Sequence, residues 1–154
     1  MTDLFPDADL GEAISEVYRM SFKCQSAVTK GRCVKLDTHT DGEIGSISEA
    51  GAGDKVIGVA MRSGEAGEYI PVLIIGIIKV TASGAISLGA PVKAAANGKV
   101  QAAAETVTIP SGTTTVTSTS AQPSMTVEGG IAFGVALQTF SDGDTGLVAI
   151  NCLQ

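Results

Sequence analysis

At 154 residues and 15.5 kDa the chain fits one domain with a buried core. A net charge of −6 argues against phosphate-backbone binding as the main activity, so no nucleic-acid partner is expected. The apolar 44% includes no Trp, four Phe and two Tyr, and a core of small aliphatic side chains leaves more of the stability to association with neighbours.

Residues 1–16 differ from the rest. They begin acidic where a signal peptide would be basic, with no apolar run behind, which places synthesis in a cytoplasm. Asp9 and Glu12 form a D-x-x-E box, and Leu10, Ile14 and Val17 fall at i, i+4 and i+7. That is the pattern of a short amphipathic helix or of an arm that orders on a partner. From Tyr18 the period becomes two: Tyr18, Met20, Phe22 and Cys24 alternate with Arg19, Ser21, Lys23 and Gln25, a half-buried strand. Arg32 to Leu36 reads as a second strand, Asp41-Gly42 as a type I′ hairpin signal, and Ile44 to Ser48 as a third strand. The apolar run Ile70 to Ile78, interrupted by Pro71 and Gly76, is far short of the ~20 residues of a membrane span and reads as a buried strand. No membrane is therefore expected as a partner.

The pattern then returns. Gly58-Val59-Ala60-Met61, followed by Ser63, Gly67, Glu68, Val72 and Ile74, matches Gly134-Val135-Ala136-Leu137, followed by Thr139, Gly143, Asp144, Val148 and Ile150, at a constant offset of 76 (134 − 58). Gly89-Ala90-Pro91-Val92-Lys93 echoes Gly31-Arg32-Cys33-Val34-Lys35, and Asn97-Gly98-Lys99-Val100 echoes Asp41-Gly42-Glu43-Ile44. An apolar strand, a turn of Gly and acid and a β-branched strand are hairpin grammar. The expected fold is mainly β: a small β-barrel domain built from two similar hairpin units over residues 17–154, with an N-terminal arm or short helix over 1–16. The second unit is longer. Gly31 to Gly58 spans 27 positions and Gly89 to Gly134 spans 45, so 18 residues are added. They fall within Thr106 to Val127, which carries no charge, in a Thr-rich hairpin at about 105–128 where Thr106 to Ile109 and Thr113 to Thr117 flank Pro110-Ser111-Gly112. Such a surface solvates poorly, and Thr106, Ile109, Thr114 and Val116 are expected at a subunit interface or on a projection.

Little in the chain resembles a reaction centre. Asp37-Thr38-His39-Thr40-Asp41-Gly42 starts like a calcium loop but has Ser48 where the bidentate Glu belongs, and neither flank reads as a helix. His39 is the sole histidine and sits in a turn. Glu65 with Glu68, and Asp142 with Asp144, stand in Gly-rich turns, which turn chemistry explains. Gly51-Ala52-Gly53 precedes a strand, not a helix, and so lacks an anion-binding helix end. Cys24, Cys33 and Cys152 are odd in number with no CxxC spacing and read as small buried hydrophobes. No catalytic residue, cofactor or metal is expected.

The ordered set Gly31-x-x-Val34-Lys35, Gly58-Val59-Ala60, Gly67-Glu68 before Ile70-Pro71-Val72, Gly89-Ala90-Pro91-Val92 and Phe133-Gly134-Val135-Ala136 to Val148-x-Ile150 resembles the capsid decoration, or cement, proteins of tailed bacteriophages. The likeness covers about residues 17–152. It implies a β-tulip-like barrel, a homotrimer on the major capsid protein at the outer surface of the head, and a role in stabilising the capsid lattice. It also implies a virion location after synthesis in the host cytoplasm. An extensible arm that adds contacts on binding suits such a protein, so Leu4, Phe5, Pro6 and Leu10 are expected to lie on the capsid. The rival expectation is a surface β-module that binds a glycan or host receptor.

Overall fold

The computed structural model describes residues 13–39, 42–103, 106–108, 126–128 and 131–153. Eleven strands follow in chain order: β1 (Ala13–Lys23), β2 (Cys33–Leu36), β3 (Ile47–Glu49), β4 (Gly58–Ala60), β5 (Tyr69–Thr81), β6 (Pro91–Ala94), β7 (Val100–Ala102), β8 (Thr106–Thr108), β9 (Thr126–Glu128), β10 (Gly134–Ala136) and β11 (Thr145–Asn151). One 3-10 turn, Ala96–Gly98, joins β6 to β7. Among the described residues no helix is long and apolar enough to cross a membrane.

Nine strands form one strongly curled antiparallel half-barrel in the order β3-β2-β4-β5-β11-β10-β6-β7, with β1 paired to β5 beside that path. β8 and β9 make a separate two-stranded sheet. β5 serves both halves. β1 runs along it from Tyr69 to Ile78, β4 pairs with Val72 and Leu73 and leads through β2 to β3, and a one-residue parallel bridge, Cys24↔Ile47, returns from β3 to the end of β1. The second part of β5 pairs with β11, which leads through β10 and β6 to β7, and the parallel bridge Ala82↔Val100 returns to the end of β5.

The registers of the two halves coincide. Lys23↔Tyr69, Phe22↔Ile70, Met20↔Val72 and Arg19↔Leu73 correspond to Thr81↔Thr145, Val80↔Gly146, Ile78↔Val148 and Ile77↔Ala149, at offsets of 58 (81 − 23) and 76 (145 − 69). Connecting hydrogen bonds repeat too: Ile57 N–H to Val34 carbonyl at 2.9 Å has its counterpart in Phe133 to Val92 at 3.0 Å. So β1 corresponds to the later part of β5, and the repeat begins earlier than the Gly-x-x-Val-Lys motif.

Alternation in the strands builds the core. Val34, Ile47, Ile70 and Val72 fill the first half, and Ile78, Val80, Val92, Val100 and Val148 the second, all essentially without solvent contact. Each such side chain contributes roughly 1.5–3 kcal/mol on burial. Both Gly-Val-Ala strands need their glycine because a neighbouring strand lies against it. A Cβ on Gly58 would meet the Val72 side chain and the Leu73 carbonyl, and one on Gly134 the Ala149 carbonyl. One exchange is reciprocal. Gly64 makes room for Ile70 in the first half, whereas in the second Phe140 stands at the Gly64 position and packs over Gly146, which replaces Ile70.

Three expectations change. Ile14 and Val17 lie on β1, not on a helix, and β1 starts at Ala13, ahead of the boundary at 17. Pairing of Ala13 through Lys23 along β5 overrides the i, i+4 spacing. The third strand is Ile47–Glu49 rather than Ile44 to Ser48, and Ile44 stands 61% exposed in the preceding turn. Accordingly Val100 corresponds to Ile47, not to Ile44: Gln25 N–H donates to the Ile47 carbonyl at 2.8 Å as Ser83 N–H does to Val100 at 2.6 Å. The β2–β3 turn is thus five residues longer than the β6–β7 turn (47 − 36 = 11 against 100 − 94 = 6), and the later insertion is 23 (134 − 100 = 34 against 58 − 47 = 11). Their difference is the net 18 seen in the sequence.

Candidate functional site

The chemistry-bearing residues are engaged in building turns. The Glu68 carboxylate accepts the Glu65 N–H at 2.7 Å, and Asp142 accepts the Gly84 N–H at 2.8 Å. Asp54 accepts the Gly51 N–H at 2.7 Å and pairs with Lys35 at 2.8 Å. The Lys35 hydrogen bond, then the Gly51 amide, hold the Asp54 carboxyl below the usual carboxylate range. Asp37 and His39 are exposed on the β2–β3 turn, and the second carboxylate of that motif, Asp41, lies outside the described residues. Turn closure there is backbone work: Asp37 N–H donates to the Ser46 carbonyl at 2.8 Å and Ser46 N–H to Thr38 at 2.7 Å. Cys24, Cys33 and Cys152 are all buried. Burial pushes the Cys33 thiol strongly up and Cys152 up to about 12, which suppresses the reactive thiolate.

Binding surfaces are the more informative feature, and the two halves differ there. Across the first half, Cys33, Val59 and Leu73 lie side by side and are fully buried. The corresponding row in the second half is Pro91, Val135 and Ala149, continued by Ile77. There Val135 is 44% exposed, Pro91 is exposed, and Ala149 and Ile77 are half-buried. Phe133, Gly134 and Asn151 complete a shallow apolar groove along that row.

The first row is closed in part by the second half of the same chain. Gly98 of the 3-10 turn donates its N–H to the Ala50 carbonyl at 2.7 Å, and the Arg32 guanidinium donates to the Asn97 carbonyl at 3.3 Å. Asn97 and Gly98 take the left-handed conformation (φ 57° and 65°) that an Asn-Gly turn supplies at little cost. A Cβ on Gly98 would stand 2.7 Å from that of Arg32 and 2.9 Å from the Cys33 carbonyl. The first half also presents a groove of its own, where Phe22, Lys23, Glu43, Ile44, Gly45 and Tyr69 meet.

Of the sequence-derived contact residues, Leu4, Phe5, Pro6, Leu10, Ile109, Thr114 and Val116 lie outside the described residues. Thr106 opens β8, opposite Glu128. The open row was not anticipated. Val135 repeats Val59 in letter, so the repeat pattern assigns both the same role. The sole hint is the change of Cys33 to Pro91 and Leu73 to Ala149.

A curled antiparallel β body with an exposed apolar row on its second half defines a protein of the small all-β class. The chain belongs to the phage cement protein family, whose match runs over residues 14–150. It is accordingly a capsid-associated decoration protein of a phage virion. Its fold is similar to that of the head fiber gp8.5 N base of bacteriophage phi29. The TM-score is 0.58 at 18% identity, over 88% of this chain and 94% of that one. No curated relative matches the chain.

Proposed function

We propose that the chain binds the outer surface of the head, contacts the major capsid protein and stabilises the capsid lattice, as a homotrimer with a β-tulip-like body. The role is structural, with no reaction and no cofactor. The family match over residues 14–150 carries this reading, because the part shared with the family is then the scaffold itself. Repetition of one weak contact over a lattice makes attachment effectively permanent without any single tight site. The N-terminal segment ahead of β1, with Leu4, Phe5, Pro6 and Leu10, supplies apolar contacts to the capsid, and the Thr-rich hairpin with Thr106, Ile109, Thr114 and Val116 lies at a subunit interface or projects outward.

Co-sedimentation with undecorated expanded heads tests the reading. Saturable binding that raises the temperature of head disruption is expected. A variant lacking residues 1–12, which leaves β1 whole, is expected to occupy heads about tenfold less well. Heads that never acquire the full-length protein would overturn the proposal, and unchanged occupancy by the truncated variant would remove the segment from it.

A further inference from the structure

From the internal contact between the two halves we infer that the open row of the second half receives the β2–β3 turn of a second copy of this chain. The inference rests on the reading that copies associate and names the surface through which they do so.

The first half shows how its row is met: by the β6–β7 turn, through Gly98 on Ala50 and Asn97 on Arg32. The correspondence of Ile47 with Val100 carries those positions across. Ala50 N–H donates to the Cys33 carbonyl at 2.9 Å, and Ala103 N–H donates to Pro91 at 2.8 Å, so Ala103, Ala90 and Pro91 reproduce the receiving edge. By position, Asn97 and Gly98 correspond to Ile44 and Gly45 (97 − 53 and 98 − 53), which do not share the left-handed backbone of the 3-10 turn. Within one chain that turn cannot reach this edge, because it closes the other end of the half-barrel beside Lys23 and Tyr69.

The side chains suit the exchange. Where the internal turn offers the Asn97 backbone carbonyl to Arg32, the β2–β3 turn carries Ile44, 61% exposed, with Leu36, 52% exposed, against the adjacent Gly45. Where the internal edge has Arg32 and Cys33, the open edge has Ala90 and Pro91, next to Val135. A polar contact inside the chain is thereby replaced by an apolar one between chains. The turn and the row are different surfaces, so each copy gives one and receives one, and the contact is head-to-tail.

Cross-linking with a short bis-maleimide tests this in the free protein. Ile44→Cys and Val135→Cys, both at exposed positions, are expected to yield a covalent dimer when mixed and none when either is treated alone; wild type controls for the three buried cysteines. No mixed dimer at sub-millimolar concentration, or equal cross-linking within a single variant, overturns the contact. Ile44→Glu provides an independent reading: self-association by light scattering is expected to weaken about tenfold, and unchanged association overturns the contact. Head occupancy is scored separately. Occupied heads without the mixed dimer sink only this contact, and the mixed dimer without occupied heads sinks only the decoration role.

Discussion

Phe140 and Gly146 show how closely one side chain is matched to another in this core. The aromatic ring fills the space of a missing side chain, as Ile70 does over Gly64 in the other half. Gly146→Ile is expected to cost roughly 1–3 kcal/mol by overpacking, and Phe140→Gly more by leaving a cavity. Combined, they re-create the first-half pair, and a double-mutant cycle in denaturant is expected to show about 1 kcal/mol or more of recovery. Strict additivity would remove the reciprocal account. Asp54 provides a pH test. Its folded value lies below the unfolded one, so its contribution is present above the ordinary Asp value and lost as pH falls through the depressed value. Asp54→Asn is expected to flatten the acid limb of the unfolding midpoint below the ordinary Asp value of about 4. The effect is small because the pair is about a third exposed, and salt reduces it. An unaltered acid limb would mean that the pair contributes nothing. Both the Asp54 turn and the Glu68 turn are visible in the sequence as Gly next to acid. The reciprocal exchange is not, since Gly64 and Phe140 look unrelated until the strands are paired.

The inserted hairpin is additional to a connection that the first half makes directly. From Ala50 to Ile57 the chain needs six intervening residues, whereas from Ala103 to Phe133 it uses 29 (57 − 50 − 1 and 133 − 103 − 1). Both ends nevertheless make the same backbone bonds to β2 and β6. Replacing 104–130 with the Gly51-Ala52-Gly53-Asp54 turn is therefore expected to keep the thermal midpoint within about 4 °C of wild type. Failure to fold would mean that the insertion is part of the core. The period-two strands and the two Gly-Val-Ala hairpins are legible from sequence alone, because one buried face imposes alternation. β1 is only half legible: Ile14 and Val17 share a helical spacing with Leu10, and what decides for a strand at those two is a partner strand more than 50 residues away (75 − 18 = 57). The turn alignment misleads for a similar reason, since Asp41-Gly42 matches Asn97-Gly98 in letter while the strand that follows enters the sheet three residues later (47 − 44).

At the scale of the whole molecule, the family and the all-β scaffold could be read from the order of short glycine motifs, while the difference between the halves could not. Exposure of Val135 depends on what the described residues leave uncovered, and a repeat in the sequence predicts sameness. Surfaces that break a repeat are thus where the structure adds to the sequence. β5 adds something else. It is one continuous strand of 13 residues, paired with β1 over Tyr69–Ile78 and with β11 over Ile75–Thr81. The halves are therefore joined by an unbroken peptide backbone flanked by ladders, not by a hinge or a linker. A pull on one half is carried to the other along covalent bonds, with no soft joint between to absorb it. For a capsid-associated decoration protein, that makes the body a single stiff tie.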